Sequence, residues 1–330
     1  MGKTRKGPVC SFKRTTLKKK KTLPASFNLF DLRYESPKKK DLAVGFVFFN
    51  PAKSKRLLMN YLYTVEKMKL ADIPYYTMEM YETESEISDA FHVKTDFILF
   101  QKERLCSLLE KKIPKQFTKL LFMDCDLVFD NKNWYRDLSN KLDTFNIVHP
   151  FTHALWLDIT YRRSVKQRVP ISFFKTLGYL NRKGGLGGYH PGWAWAFQRD
   201  WFTRIGFYQY AILGDGDSIN ASIWLDYIDF IYFTFSSRTF LKKTIEEYVE
   251  KMKQPPTLCS INGTVYHLWH GDSKKRQYEK RRAIFSYLKD NDIRTILTTD
   301  SNGLFRLKDH SMDSKIRAYF QNRDDDGVEV

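Results

Sequence analysis

Two aspartates one residue apart, Asp124 and Asp126, are the side chains of this 330-residue chain best suited to chemistry. They follow one apolar run, Lys119 to Met123, and precede another, Leu127 to Phe129. Two carboxylates this close raise each other's pKa unless a cation lies near them. Carboxylate oxygens suit Mg²⁺ or Mn²⁺, and these ions usually hold substrate phosphates as well. The pair therefore predicts a divalent-metal site, with an ordinary turn after a strand as the alternative.

The elements before the two aspartates place them at one edge of a sheet. The apolar runs predict a strand over 42–50, a helix over 54–70 capped by Ser54, strands over 73–81 and 96–100, a helix over 101–112 and a strand over 119–123. This alternation predicts an α/β sheet with parallel strands. Ligands of such sheets bind at the carboxyl ends of the strands, which is where both aspartates lie.

A site that holds both a metal and phosphates is typical of two enzyme families, and the D-x-D resembles a motif of each. In GT-A glycosyltransferases, the acidic pair holds a divalent ion against the diphosphate of a nucleotide sugar. In haloacid-dehalogenase-like phosphotransferases, the first aspartate is a nucleophile, here Asp124, and a later loop similar to Gly214 to Ala221 binds metal. That loop normally ends in Asn-Asp and the D-x-D normally opens the fold. Here Ala221 follows Asn220, and a strand–helix–strand unit comes first.

The segment from Gly184 to Asn220 favours the glycosyltransferase. Small and large residues alternate over Gly192 to Ala196, which predicts a strand, and a short helix is predicted over Arg199 to Ile205. An acidic turn and another helix follow. This order resembles the acceptor side of family-2-like GT-A glycosyltransferases, which implies a mixed central sheet flanked by helices.

The acidic turn contains Asp215 and Asp217, and Asp217 could be the N-cap of the helix that follows. In inverting members of the family, the acidic residue of this turn is the catalytic base. The resemblance therefore implies Asp217 or Asp215 as the base. The turn reads Gly-Asp-Gly-Asp rather than the family's Glu-Asp, so inversion and retention both stay open.

Two histidines, His267 and His270, precede Gly271 and a basic segment. Imidazole is a common metal ligand, although buried histidines are often satisfied by hydrogen bonds alone. Many metal-dependent GT-A enzymes use a late histidine as a third protein ligand, and the resemblance implies His270 in that role with His267 as the alternative. The basic residues that could neutralise a diphosphate are Lys274, Lys275, Arg276 and Arg281.

The resemblance also implies which residues bind the nucleotide sugar. In this family the first strand and its loop touch the nucleotide, the second strand often ends in an acid near the base or ribose, and a basic helix start precedes the D-x-D. Trp193 could stack on a sugar ring or pack in the core. The residues so assigned are Phe49, Asn50, Pro51, Arg56, Glu79, Lys102, Arg104, Asp124 and Trp193.

The order of these motifs over residues 41–300 is similar to that of small glycosyltransferases encoded by large DNA viruses and phages. The resemblance implies a metal-dependent enzyme that moves a sugar from a nucleotide-diphosphate sugar, UDP-linked by expectation, to a hydroxyl of a glycan or glycoprotein. Mn²⁺ or Mg²⁺ is the implied cofactor. Asp126 and His270 would bind the ion, while Asp124 would contact the metal, its water, the ribose or the sugar.

The net charge of +17 is concentrated at the N-terminus, since residues 1–40 hold 13 Lys and Arg against two acids. This region is predicted to be a disordered basic tail, and residues 301–330 a polar C-terminal tail. The tail could tether the chain to an anionic surface. A non-catalytic nucleic-acid-binding protein is therefore a further alternative, although no aromatic residues interleave with the basic ones as a stacking platform requires.

The four cysteines (Cys10, Cys106, Cys125 and Cys259) are widely spaced and form no zinc pattern. No apolar stretch approaches the length of a membrane span, and the N-terminus lacks the apolar region of a signal peptide. We therefore expect reduced thiols and a cytoplasmic location, in the host cytoplasm if the protein is viral.

Overall fold

A computed structural model describes residues 8, 10, 12, 22–173, 189–212, 214–228, 236–272, 275–277, 280 and 284–327. The strands are β1 (Leu42–Phe48), β2 (Tyr75–Tyr81), β3 (Phe91–Lys94), β4 (Lys119–Met123), β5 (Leu127–Phe129), β6 (Ile147–His149), β7 (His153–Leu157), β8 (Ser164–Pro170), β9 (Tyr189–His190), β10 (Ala194–Gln198), β11 (Leu258–Ser260), β12 (Thr264–His267), β13 (Leu297–Thr299) and β14 (Phe305–Leu307). The α-helices are α1 (Lys55–Leu70), α2 (Lys102–Glu110), α3 (Trp134–Leu142), α4 (Arg199–Arg204), α5 (Gly216–Trp224), α6 (Lys242–Met252) and α7 (Asp313–Gln321).

Within these ranges, the strands form a seven-stranded central sheet, a five-stranded second sheet and a two-stranded hairpin. The central order is β11-β6-β10-β4-β1-β2-β3. Strand β10 runs antiparallel to both of its neighbours, and the other neighbouring strands of this sheet are parallel. The prediction of an α/β fold with a mixed central sheet flanked by helices is therefore confirmed. None of the described helices is long and apolar enough to cross a bilayer.

Side chains of β4 alternate between two hydrophobic cores, one on each face of the central sheet. Phe122 belongs to the core that includes Leu109 of α2. Leu121 and Met123 belong to the core that includes Met68 of α1. Because successive side chains of a strand point to opposite faces, a continuously apolar strand must be covered on both sides. The strand is therefore held rigidly, and so is the point at which it ends.

Helix α1 begins as the sequence predicts. The Ser54 side chain accepts a hydrogen bond from the Leu57 N–H at 3.0 Å, and the helix runs to Leu70. The predicted strand over 96–100 is wrong, because the third parallel strand is β3. Phe97 and Leu99 are buried as the prediction requires, but they enter the core from a loop. The apolar character of these residues predicted their burial correctly, but it predicted the wrong backbone conformation.

The D-x-D lies at the junction of the two larger sheets. Strand β4 of the central sheet ends at Met123, and β5 of the second sheet begins at Leu127. Strand β12 pairs antiparallel with β5, which places His267 opposite Leu127. The Leu268 N–H donates to the Asp126 carbonyl at 2.8 Å. The pairing of β12 with β5 thus brings the late histidines to the acidic pair.

Part of the C-terminal segment 301–330, predicted to be a polar tail, is folded onto the domain. Strand β14 pairs with β13, and Ile316 and Phe320 of α7 are buried. Only a few residues of α7 form its buried face. The rest of the segment is polar, so its composition does not reveal this face.

The N-terminal region also contacts the domain where it is described. Within residues 22–40, Leu29 is buried. The hydroxyl of Tyr34 accepts a hydrogen bond from the Phe129 N–H at 3.0 Å. The lysine run Lys18 to Lys21 lies outside the described residues, as do the glycines of 184–188 and the basic residues Lys274 and Arg281.

Cys10 and Cys259 form a disulfide, with Cα atoms 5.1 Å apart and a sequence separation of 249. The prediction of reduced thiols is therefore wrong for this pair, while Cys106 and Cys125 are buried free thiols. Spacing along the chain cannot show that two distant cysteines have adjacent Cα atoms. Because disulfides persist mainly in oxidising compartments, the cytoplasmic prediction loses the support of the cysteines.

Candidate metal centre and active-site cleft

Three side chains converge at the junction of the two sheets: Asp126, His267 and His270. The Asp126 Oδ2 atom lies 3.4 Å from His267 Nε2 and 3.0 Å from His270 Nε2. One ligand atom from each residue lies within 4.8 Å of the others, and all three residues are buried. The Asp126 Oδ1 atom is also buried and has no hydrogen-bond partner among the described residues. A carboxylate and two imidazoles facing one point fit a divalent transition-metal ion.

The charges of the cluster also suit a cation. Burial lowers the pKa of His267 to about 3, so its imidazole is neutral and able to bind a metal. Burial opposes ionisation of Asp126, but its interactions with His267 and His270 outweigh that effect and lower the pKa of its carboxyl. The sequence left the choice between the two histidines open, and the structure brings both to Asp126.

Asp124 faces a different group. Its Oδ1 atom lies 2.5 Å from Lys102 Nζ, and the same Nζ lies 3.7 Å from Asp217 Oδ1. Burial raises the pKa of Asp124 to about 6, against the opposing charge of Lys102. The backbone holds this residue too, because the Asp124 N–H donates to the Trp193 carbonyl at 2.7 Å. Lys102 thus links the D-x-D to the acidic turn.

The acidic turn differs in one detail from the sequence prediction. Asp215 rather than Asp217 stands at the N-cap of α5, with φ of 67° and no side-chain capping bond. Asp217 lies in the first turn of the helix, where its negative charge suits the helix dipole. A Cβ atom added at Gly192 would lie 2.0 Å from Asp217 Oδ2, so only glycine admits the carboxylate there. Asp217 is therefore held between Gly192 and Lys102.

Glu103 is a buried acid that the sequence analysis missed. Its side chain packs against Gly216, where an added Cβ would lie 2.0 Å from Glu103 Oε1. Burial, followed by the charge of Asp217, raises the pKa of Glu103 to about 7. Its place between two assigned residues, Lys102 and Arg104, at the start of a helix was the one available signal.

These groups line a cleft of about 340 Å³. Of the residues assigned to the nucleotide sugar, the cleft lining includes Phe49, Asn50, Pro51, Lys102, Asp124 and Trp193, together with Asp215 and Asp217. Asn50 is also structural, because its Oδ1 atom accepts a hydrogen bond from the Ser54 N–H at 2.9 Å. The loop after β1 is thereby fixed beside the start of α1.

Three assigned residues contact other parts of the protein and stand outside this lining. Glu79 accepts hydrogen bonds from the N–H groups of Glu86 and Ile87 at 2.6 and 3.1 Å, so it organises the loop after β2. The Arg104 Nε atom donates to the Gly303 carbonyl at 2.6 Å. The Arg56 guanidinium lies 5.3 Å from the Trp269 ring centroid. The sequence shows that each of these charged residues lies near the end of an element, but it does not show which way the side chain points.

Trp193 packs against a proposed metal ligand. Its ring stacks on His267 with centroids 4.8 Å apart and an interplanar angle of 21°, and the side chain is buried. Trp193 also has a left-handed backbone, with φ of 72°, which is uncommon for a bulky residue. Such strain persists where the surroundings hold it, and here it aims the indole at His267.

The cleft has a C-terminal wall that the sequence analysis did not foresee. Phe320, Arg323 and Asp325 line it, beside Arg276. Phe320 packs on Phe49, with ring centroids 5.6 Å apart. The sequence predicts that the run Asp324 to Asp326 belongs to a tail, because polar composition alone predicts exposure.

No protein-family model and no curated protein matches this chain. Among solved structures, it is similar to the catalytic domain of Drosophila β1,4-galactosyltransferase 7 in complex with xylobiose, at 10% identity and a TM-score of 0.39, over 83% of this chain and 98% of that one. A mutant of that enzyme with manganese, UDP-Gal and xylobiose matches at 12% identity and a TM-score of 0.33, over 56% of this chain and 61% of that one.

A third similar structure is glucosyl-3-phosphoglycerate synthase from Mycobacterium tuberculosis, in complex with Mn²⁺, UDP-glucose and phosphoglyceric acid. It matches at 11% identity and a TM-score of 0.35, over 84% of this chain and 93% of that one. At these values, none of the three likenesses assigns an activity to this chain.

Proposed function

We propose that this protein is a metal-dependent glycosyltransferase that moves a sugar from a nucleotide-diphosphate sugar to a hydroxyl acceptor. The observation that carries the proposal is the convergence of Asp126, His267 and His270 in one cleft with a second acidic group, Asp124 and Asp217, joined by Lys102. One group suits a cation, and the other suits proton transfer.

Asp126, His267 and His270 would hold the divalent ion, with Asp124 nearby. Such an ion supplies Lewis-acid chemistry that offsets the charge of a departing diphosphate. Arg276 lines the same cleft, and its positive charge suits the phosphate oxygens. The galactosyltransferase and synthase complexes contain UDP-sugars and Mn²⁺, and these are the first ligands to try.

Asp217 is the residue that we assign as catalytic base. It lines the cleft at the start of α5, and its side chain is about one-third exposed, so an acceptor hydroxyl can reach it. The carboxylate would take the hydroxyl proton as the oxygen attacks the sugar. Lys102 lies between Asp217 and Asp124 and holds both carboxylates in place.

Thermal unfolding with and without Mn²⁺ tests the proposal, using UDP, GDP and their sugars as ligands. A ligand that binds only the folded state raises the midpoint by mass action. We expect one nucleotide to raise it in a Mn²⁺-dependent manner. That rise should be lost in Asp126→Asn and retained in Asp200→Asn, an exposed aspartate of α4 that serves as the matched control.

Either of two results would contradict the proposal and favour another function. Stabilisation by Mg²⁺ with beryllofluoride, without any nucleotide effect, would indicate a phosphotransferase with Asp124 as the nucleophile. Stabilisation by oligonucleotides alone would indicate the nucleic-acid-binding alternative.

A further inference from the structure

We propose that Asp325, in the C-terminal segment, is a positioning residue that orients His270 for metal binding. The inference rests on the proposed function, because it assumes that Asp126, His267 and His270 bind a divalent cation. It adds to that site a residue from a part of the chain that the sequence assigned to a polar tail.

The two ring nitrogens of His270 face two different carboxylates. Nε2 lies 3.0 Å from Asp126 Oδ2, inside the proposed metal centre, and Nδ1 lies 3.4 Å from Asp325 Oδ1 on the opposite side of the ring. His270 is 5% exposed and Asp325 is 6% exposed. Metal-binding histidines usually donate their second ring N–H to a carboxylate or carbonyl, which fixes the tautomer and the ring orientation. His270 Nδ1 is buried and makes no hydrogen bond among the described residues, and the Asp325 carboxylate, 3.4 Å away, is the acceptor beside it.

The carboxylate of Asp325 is itself held in place. Arg323 Nε lies 2.6 Å from Oδ2, and the Arg323 Nη2 atom donates to Oδ1 at 2.8 Å. Arg276 Nε lies 3.7 Å from Oδ1. A buried carboxylate is costly unless it is paired, and these contacts supply the pairing. The same Oδ1 atom is the one that lies 3.4 Å from His270 Nδ1.

The surrounding segment is anchored at two points. Asp326 accepts hydrogen bonds from the Ser54 hydroxyl at 2.7 Å and from the N–H groups of Lys55 and Arg56 at 3.0 and 2.9 Å, so it caps the N-terminus of α1. The Asp272 N–H donates to the Gly327 carbonyl at 3.1 Å. These bonds hold the two residues that directly follow Asp325.

Gly271 permits this close approach. Its φ is +81°, and a Cβ atom added there would lie 2.7 Å from the Asp324 carbonyl oxygen. The residue directly after His270 is therefore one that lets the C-terminal segment lie against the histidine. This contact explains why glycine follows His270, since a side chain at that position would collide with the C-terminal segment.

Metal affinity tests the inference without an enzymatic assay. Mn²⁺ binding is measured by loss of the free-ion electron paramagnetic resonance signal, and Co²⁺ binding by its visible absorption. We expect Asp325→Asn to raise the Mn²⁺ dissociation constant about 10- to 100-fold and to change the Co²⁺ spectrum. The control is Asp324→Asn, one residue earlier and exposed, which keeps the oxygen that accepts the Asp326 N–H. It should bind like the wild type.

A double-mutant cycle distinguishes positioning from a merely structural role. If Asp325 acts through His270, Asp325→Asn should cause no further loss of Mn²⁺ affinity in a His270→Ala background. A structural role would lower the affinity by a similar factor in both backgrounds, and that result would overturn the inference. Unchanged affinity and an unchanged Co²⁺ spectrum in Asp325→Asn alone would overturn it as well.

The two proposals fail in different ways. If the wild-type protein binds neither Mn²⁺ nor Co²⁺, the metal-dependent function fails and this inference falls with it. If the wild type binds the ions and Asp325→Asn binds them equally well, only the role of Asp325 fails.

Discussion

At the scale of single residues, burial and neighbouring charges shift the pKa values of the carboxyl groups in the cleft. Asp124 and Glu103 both have a raised pKa, and Lys102 lies beside Asp124. Asp126 has a lowered pKa in the same cleft because of its contacts with the histidines. Pairs of acids with pKa values moved in opposite directions are typical of sites that separate proton transfer from cation binding.

The raised pKa of Glu103 predicts a pH dependence of stability. The carboxyl binds its proton more tightly in the folded state, at about 7, than in the unfolded state, at 4.5. Its contribution to stability is therefore full below about pH 4.5 and is lost as the pH rises to 7. Without divalent cations, Glu103→Gln should reduce the loss of unfolding free energy between pH 5 and 8 by at most about 3 kcal/mol.

Urea unfolding at both pH values measures this effect. Glu66→Gln on the exposed face of α1 is the control, and it should leave the pH dependence unchanged. Equal pH dependence in Glu103→Gln and the wild type would show that Glu103 ionises normally.

Gly192→Ala should impair transfer without loss of metal binding. The added methyl group would lie 2.0 Å from the Asp217 carboxylate and must displace it. We expect turnover, measured as Mn²⁺-dependent release of UDP from a UDP-sugar, to fall at least 10-fold, on the scale of a lost general base. The Mn²⁺ dissociation constant should stay within about twofold, since Asp126 is untouched. If Asp217→Asn has full activity, the reasoning for Gly192 is wrong.

At the scale of elements, three connections join segments that are distant in sequence. Strand β12 brings His267 to Asp126 by pairing with β5, and α5 brings Asp217 to Lys102 at the start of α2. The disulfide connects the N-terminal segment to β11 at the edge of the central sheet. The first two connections bring site residues together, His267 with Asp126 and Asp217 with Lys102.

The disulfide predicts a thiol count and a stability change. Alkylation of the denatured, unreduced protein should modify Cys106 and Cys125 only, and reduction should raise the count from two thiols to four. Cys10→Ser should lower the unfolding free energy by about 2 to 4 kcal/mol, as expected for loss of a native disulfide. Mass spectrometry measures the count, and thermal unfolding measures the stability. Four reactive thiols before reduction would contradict the pairing.

At the scale of the whole molecule, the charge is uneven. Residues 41–330 carry 42 basic and 36 acidic residues, so most of the net charge of +17 belongs to the first 40 residues. The cleft, in contrast, combines acids and bases in contact with each other. The two regions should therefore respond differently to salt, because exposed charges are screened and buried ones much less so.

Replacement of Lys18 to Lys21 by glutamine should weaken binding to an anionic column without effect on nucleotide binding. Removal of four positive charges lowers the long-range attraction, so elution should move to a lower salt concentration. The Mn²⁺-dependent thermal shift with nucleotide should be unchanged. A shift that disappeared in this variant would connect the basic run to the cleft.

Local pattern alone was enough to predict a large part of this protein. Apolar periodicity predicted β1, α1, β2, α2 and β4, because each is fixed by burial of its own side chains. The position of the D-x-D after β4 followed from the same reasoning. The family resemblance added His267 and His270 as candidate ligands, and the structure brings both to Asp126.

Contacts between distant segments were decided only by the tertiary structure. Local sequence patterns do not predict where the side chains of Glu79 and Arg104 point. They also do not predict the pairing of Cys10 with Cys259. The place of Asp325 behind His270 depends on contacts of the C-terminal segment with the start of α1 and with Asp272. Burial of an element depends on its own residues, whereas the geometry of a site depends on which elements pack together. The sequence therefore determined the chemistry available, and the tertiary structure decided which groups meet.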